Sequence, residues 1–233
     1  MKTITLVLAS LTVVLSGCTS NQASEENMVA NMERVDNHDG LIAHYKDNLK
    51  EAPESEEITQ QLAKVYFDKG DLESAKFYAD HLLDSGVRNW QLLQLRGQIH
   101  NKEGEDKLAV NRYQRSIELG NSSADIYVML GVSYCMLDQF EQAKGAFNKA
   151  RLKGYNDVVI KNNLAVVDLA QSNYMEVVTL LAPVYRENPS NEKVKANLAI
   201  ALFKLGDVHQ ARAVLEGSFT DAQMMEISRT LYQ

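Results

Sequence analysis

Two cysteines, five histidines and a repeated asparagine are the residues of this 233-residue chain whose types and spacing bear on chemistry. His38, His44, His81, His100 and His209 are scattered, and none stands at the spacing of a helical paired-ligand motif or a Cys/His zinc site. Nothing beside Cys135 argues for a lowered thiol pKa, so it reads as a small apolar residue rather than a nucleophile. The glycines are accounted for by turns and tight helix contacts, which leaves no loop to cradle a phosphate. A catalytic set of acid, base and nucleophile is not found. The expectation is a non-catalytic protein with no metal site, no cofactor and no small-molecule substrate. Asn163 and Asn197 each open an Asn-Leu-Ala tripeptide. An amide carries donors and an acceptor, so the two could pair with an extended peptide backbone or bond to neighbouring turns. The charge balance, 24 basic against 31 acidic residues, shows no basic cluster, which argues against nucleic acid and against a polybasic membrane contact.

The elements that must position these residues are set by a period. Ala63, Gly97, Gly131, Ala165 and Ala199 follow one another at intervals of 34 residues. With the small residue taken as position 8, the same register holds elsewhere. Position 20 reads Ala75, Ala109, Ala143, Val177, Ala211, and position 24 reads Ala79, Tyr113, Phe147, Leu181, Leu215. Position 15 holds Gly70, Gly104, Asp138, Ser172 and Gly206, which is turn chemistry. Gly86, Gly120 and Gly154 stand at position 31, followed in the next copy by Asn188-Pro189, residues that end helices. This interval resembles the tetratricopeptide repeat, in which each unit is an antiparallel helix pair and neighbours stack into a solenoid. The expected fold is all-α, with repeats near 22–55, 56–89, 90–123, 124–157, 158–191 and 192–217. The first copy lacks the small residue, having Val29 there, and its helix A is expected near 25–35. Thr220-Asp221-Ala222-Gln223 has a capping-box pattern, and Met224, Ile227, Ser228 and Leu231 follow at helical spacing, so a capping helix is expected over 220–232.

The resemblance implies that helix A of each pair lines a concave groove through positions 2, 5, 9 and 12. In the early copies these are polar: Glu57, Gln60, Lys64, Phe67, then Gln91, Gln94, Gln98, Asn101. Later they become apolar: Asp125, Val128, Val132, Cys135, then Val159, Asn162, Val166, Leu169, then Lys193, Ala196, Ile200, Phe203. Contiguous exposed apolar surface marks a partner site, unless the solenoid curls or its cap folds back over it. The candidate partner-binding residues are therefore Val128, Val132, Cys135, Asn162, Asn163, Val166, Leu169, Asn197, Ile200 and Phe203. The carboxylate-clamp pattern of chaperone-binding relatives is not reproduced.

The front of the chain carries a separate signal. Lys2 precedes twelve apolar-rich residues, Ile4 to Leu15, too few to span a bilayer. The run ends in Leu15-Ser16-Gly17-Cys18, which resembles the bacterial lipoprotein box. That resemblance implies acylation of Cys18, cleavage before it, and loss of residues 1–17, which takes the net charge from −7 to −8. Two or more acyl chains anchor stably where one does not. Thr19, rather than aspartate, follows the cysteine, which by resemblance to enteric lipoproteins implies the outer membrane, facing the periplasm. Residues 18–27 read as a polar tether, and 28–233 as one elongated repeat domain.

Asn162-Asn163-Leu164-Ala165, Leu180-Leu181-Ala182-Pro183, Asn197-Leu198-Ala199 and the early stop before Phe219-Thr220 resemble the TadD family, tetratricopeptide lipoproteins of tight-adherence (Flp) pilus assembly. Pro183 inside a helix B is unusual for a generic repeat. Asp168 and Val177 depart from the commoner residues at their positions. The resemblance implies a periplasmic assembly factor whose partner is a secretin or another pilus component. The alternatives are a pilotin for another secretin, of type IV pilus or type II secretion, and an adaptor for cell-wall hydrolases.

Overall fold

The computed structural model describes residues 17–215 and residue 223, with side chains from residue 24 onward. Among them are twelve α-helices and no strand. The chain divides into two compact units, Met1–Gly86 and Val87–Gln233, within the span read as one repeat domain. Unit 1 holds α1 (Gly17–Arg34), α2 (His38–Glu51), α3 (Glu56–Lys69) and α4 (Leu72–Asp84). Unit 2 holds α5 (Trp90–Lys102), α6 (Asp106–Glu118), α7 (Ala124–Met136), α8 (Phe140–Leu152), α9 (Asp157–Ala170), α10 (Tyr174–Glu187), α11 (Glu192–Lys204) and α12 (Val208–Leu215). Among the described residues the twelve helices follow one another as pairs, and the fold is an all-α array of tetratricopeptide type.

Local chemistry explains where the helices begin and end. Ser55, Asn89, Ser123, Asn156 and Asn191 stand just before successive A helices. Each accepts a hydrogen bond from the amide three residues on, which satisfies a donor the helix leaves open. At position 15 the chain must turn back sharply, and the backbone there is left-handed in every one of these copies. Gly70 has φ 86°, and the non-glycine residues Asp138 and Ser172 take φ 57° and 62°. Short polar side chains tolerate that region better than bulky ones.

Within a pair, the helices approach through positions 8 and 24. A Cβ placed on Gly97 would lie 2.5 Å from the Tyr113 ring, and one on Gly131 would lie 2.6 Å from the Phe147 ring. Where position 24 carries no aromatic ring, position 8 is alanine, and all of those residues are buried. Two core clusters of unit 2 lie among the described residues. One centres on Tyr113, Ile126, Phe147, Ile160 and Val167, the other on Val177, Leu181, Leu198, Leu202 and Phe203. Val177 is fully buried, so the departure from alanine is accommodated. Asp168 is held by the Lys144 ammonium at 2.8 Å, from α8. Helix α10 runs on through Pro183, whose side of the helix is exposed.

The stretch read as a polar tether is helical, because α1 begins at Gly17 and continues without a break to Arg34. From Thr19 on it contains neither glycine nor proline, and its Ala, Glu, Gln and Met residues favour helix. The apolar run of residues 4–15 and the capping helix over 220–232 lie outside the described residues. Among the described residues, no helix is long and apolar enough to cross a membrane.

Candidate partner-binding surface

In unit 2, helix α7 touches both α5 and α9, and α9 touches α11, so the A helices form one layer. That layer carries the apolar positions predicted for the groove. At position 9, Val132 is 38% exposed and Val166 39%, while Ile200 is half-buried. At position 2, Val159 is 40% exposed, and Ala196 at position 5 is also open. Alternating positions that pack inward hold these helices in place: Ile126 and Leu130 on α7, Ile160 and Val167 on α9, Val194 and Leu198 on α11. Three valines and an alanine on three adjacent helices thus leave apolar side chains open at groove positions, with Asp125 of α7 and Lys193 of α11 exposed at position 2 on either side of Val159.

The other predicted residues sit differently. Val128 and Cys135 are half-buried and pack against the central core cluster. Burial, with the Asp138 charge behind it, pushes the Cys135 thiol pKa up, which disfavours a reactive thiolate. Leu169 packs against the terminal cluster. Phe203 is 1% exposed and belongs to the core, so its assignment to the groove is corrected. Helix α11 buries Val194, Leu198, Ala199, Ala201, Leu202 and Phe203, which is most of its circumference. Burying a phenyl ring contributes about 2–3 kcal/mol, which favours the core over the groove for that side chain.

The asparagines meet, but in another pairing. Asn197 Nδ2 donates to Asn162 Oδ1 at 2.9 Å, tying α11 to α9, while Asn163 is half-buried beside them. A comparable link joins α5 to α7, where Asn101 Nδ2 donates to Ser133 Oγ at 3.1 Å and to Asp106 Oδ1 at 2.7 Å. These amides set the spacing of the layer that displays the valines.

One grouping escaped the reading of scattered histidines. The buried His100 Nδ1 lies 2.6 Å from Glu105 Oε2 and 3.9 Å from Glu103 Oε2, and Arg96 Nη1 lies 3.8 Å from Glu103. The spacing His100, Glu103, Glu105 is visible in the sequence, but only the turn between α5 and α6 folds it together. The three could offer one ligand atom each to a cation. The guanidinium beside them already supplies positive charge, so the group reads as an ion-pair network. Burial, and the fields of Arg96 and Arg112, outweigh Glu105 and hold the His100 pKa below its ordinary value.

Comparison with known proteins agrees with the repeat. Two family models described as tetratricopeptide repeat match, over residues 168–223 and 57–85. The BBSome complex member bbs-4 of Caenorhabditis elegans is 20% identical over 80% of this chain, which spans only 40% of that relative's length. A tetratricopeptide repeat protein of Parabacteroides merdae superposes with TM-score 0.69 at 18% identity, covering 84% of this chain and 78% of its own. YrrB, described as a tetratricopeptide protein with an unusual peptide-binding site, superposes with TM-score 0.63 at 15% identity, over 79% of this chain and 97% of its own.

Proposed function

We propose that this chain, whose fold is of tetratricopeptide type, is a non-catalytic scaffold that holds a protein partner on the A-helix layer of unit 2. The observation that carries this is the exposure of Val132, Val159 and Val166 together with Ala196 on adjoining helices. Apolar surface kept open on an ordered layer loses its hydrophobic free energy to water until a partner covers it. Peptide binding, described for YrrB, is the mode we propose here. The finer reading adds a place and a process. The protein is an outer-membrane lipoprotein acylated at Cys18 that faces the periplasm and assists assembly of the tight-adherence pilus machine. The support is the lipoprotein box and the motifs of the last third of the chain. A secretin or pilus subunit crossing the periplasm exposes strand edges and apolar surface before it assembles, and such surfaces aggregate unless held.

The test has two parts, made in a strain that builds these pili. Deletion of the gene is expected to reduce surface pili while prepilin is still made and processed. Val166→Glu on the open face is expected to reproduce that loss with helix content unchanged by circular dichroism. Normal pili in the deletion strain overturn the pilus reading. Normal pili in the valine variant, with pili lost in the deletion, move the partner site elsewhere on the molecule. Loss of multimers of a different secretin would identify the pilotin alternative.

A further inference from the structure

Unit 1 carries a concavity that the valine face does not explain. It lies among α1, α2 and α3 and has a volume of about 410 Å³. Its walls include Val29 and Ala30 of α1, the Tyr45 ring of α2 and Ile58 of α3. Around these apolar groups stand four carboxylates, Glu25, Glu26, Glu33 and Glu57, and the only ionisable nitrogen in the lining is the His44 ring. His44 Nε2 lies 3.2 Å from Glu25 Oε1, and Asn48 Nδ2 donates to that same oxygen at 2.9 Å. Glu25 is thereby fixed in place by two side chains of α2.

The remaining charge is uncompensated. Glu26, Glu33 and Glu57 form no ion pair among the described residues. The nearby lysines are committed to other acids: Lys50 to Asp47 at 2.7 Å, Lys64 to Asp68 at 2.6 Å, Lys69 to Asp39 at 2.7 Å. Lys46 lies over the Tyr66 ring. Burial, together with the fields of Glu33, Glu25 and Glu57, raises the Tyr45 hydroxyl pKa, so three of the carboxylates act on one buried ring. Like charges that face one concavity lined by apolar atoms repel one another, and a cation with an apolar stem relieves both features at once.

We propose that this hollow docks a basic segment of a partner protein. An arginine or lysine lays its aliphatic stem against Val29, Ala30 and Ile58 and sets its charged head among the carboxylates. The contact adds to the scaffold reading but is confined to unit 1, so it can fail while the valine face of unit 2 stands. Charge complementarity of this kind governs partner choice and association rate more than affinity.

The probe is a labelled tetra-arginine amide, titrated into the full chain in nonionic micelles and followed by fluorescence anisotropy. Its tetra-citrulline counterpart, similar in size but uncharged, is the control. Binding of the arginine peptide is expected to be at least tenfold tighter than that of the citrulline peptide. Glu33→Gln with Glu57→Gln is expected to weaken it fivefold or more. Both side chains are exposed, so helix content should hold. Glu141→Gln with Glu187→Gln removes the same charge from exposed positions in unit 2 and is expected to leave binding unchanged. Equal weakening by the two double variants would mean attraction to the net charge of the chain, and would overturn the site. Equal binding of the citrulline peptide would overturn its ionic basis.

Discussion

His100 occupies position 11, where Tyr66 and Tyr134 stand in other repeats, and it is buried as a core aromatic residue is. Burial favours the neutral ring, and Arg96 and Arg112 oppose a second positive charge. The folded chain therefore takes up this proton at lower pH than the unfolded chain does. The stability that the neutral ring contributes is whole above the ordinary histidine value of about 6.5 and is lost as the pH falls through the lowered one. The melting temperature is thus expected to fall as the pH drops below about 6.5, and to fall less in His100→Tyr, which takes the residue of the neighbouring repeats. Parallel pH profiles for the two proteins would place the titration elsewhere. The same scale explains Asp168, which looked out of place at this position. Its carboxylate meets Lys144 on the preceding helix B, much as Tyr134 accepts a hydrogen bond from Gln114 at 2.8 Å. At position 11 Asp168 is thus matched to the preceding repeat, whereas His100 is paired with Glu105 of its own.

The helix pair is the element in which size is matched across repeats. Glycine at position 8 faces a ring at position 24, as Gly97 does Tyr113, whereas alanine there accompanies Ala79, Leu181 or Leu215. Gly97→Ala adds a methyl group 2.5 Å from the ring, and overpacking of a buried site costs about 1–3 kcal/mol. Alanine's better helix propensity returns about 1 kcal/mol. The substitution is therefore expected to lower stability by up to about 2 kcal/mol beside Tyr113, and to raise it in a Tyr113→Leu background. Chemical denaturation of the four proteins gives that coupling directly. The same cost in both backgrounds would show that the ring is not the reason for the glycine. The small residue at position 8, the residues at position 24 and the turn at position 15 were each legible in the sequence because a period repeats them, whereas the size match between positions 8 and 24 emerged only from the packing. What the period could not show is where one copy has different neighbours. Phe203 sits at a groove position by register, yet α11 buries most of its circumference. The Asn197 amide meets Asn162 rather than Asn163, because the hydrogen bond follows the packing of α9 on α11 and not the matching register. Polar composition alone likewise suggested a flexible tether over residues that α1 includes.

For the molecule as a whole, that last correction changes what an anchor at Cys18 would do. At 1.5 Å per residue, the helical path from Cys18 to Arg34 is about 24 Å, held as a semi-rigid spacer rather than a loose coil. A lipid anchor at Cys18 would thus hold the rest of unit 1 off the membrane by that helical spacer. Confinement of scaffold and partner to one surface raises their effective concentration, so a shallow valine face can suffice without high intrinsic affinity. Replacing Cys18 with serine removes the acylated thiol and leaves every described side chain in place. An unprocessed precursor is expected, together with loss of the outer-membrane fraction and of pilus assembly, while thermal stability is unchanged. Attaching the same repeats to an unrelated lipoprotein leader should restore assembly, since the role assigned to Cys18 is placement alone. If Cys18→Ser still fractionates with the outer membrane at the wild-type mass, the protein is held there by something other than the thiol. If it leaves the membrane yet pili form normally, confinement is not needed, and the valine face must bind its partner tightly from free solution.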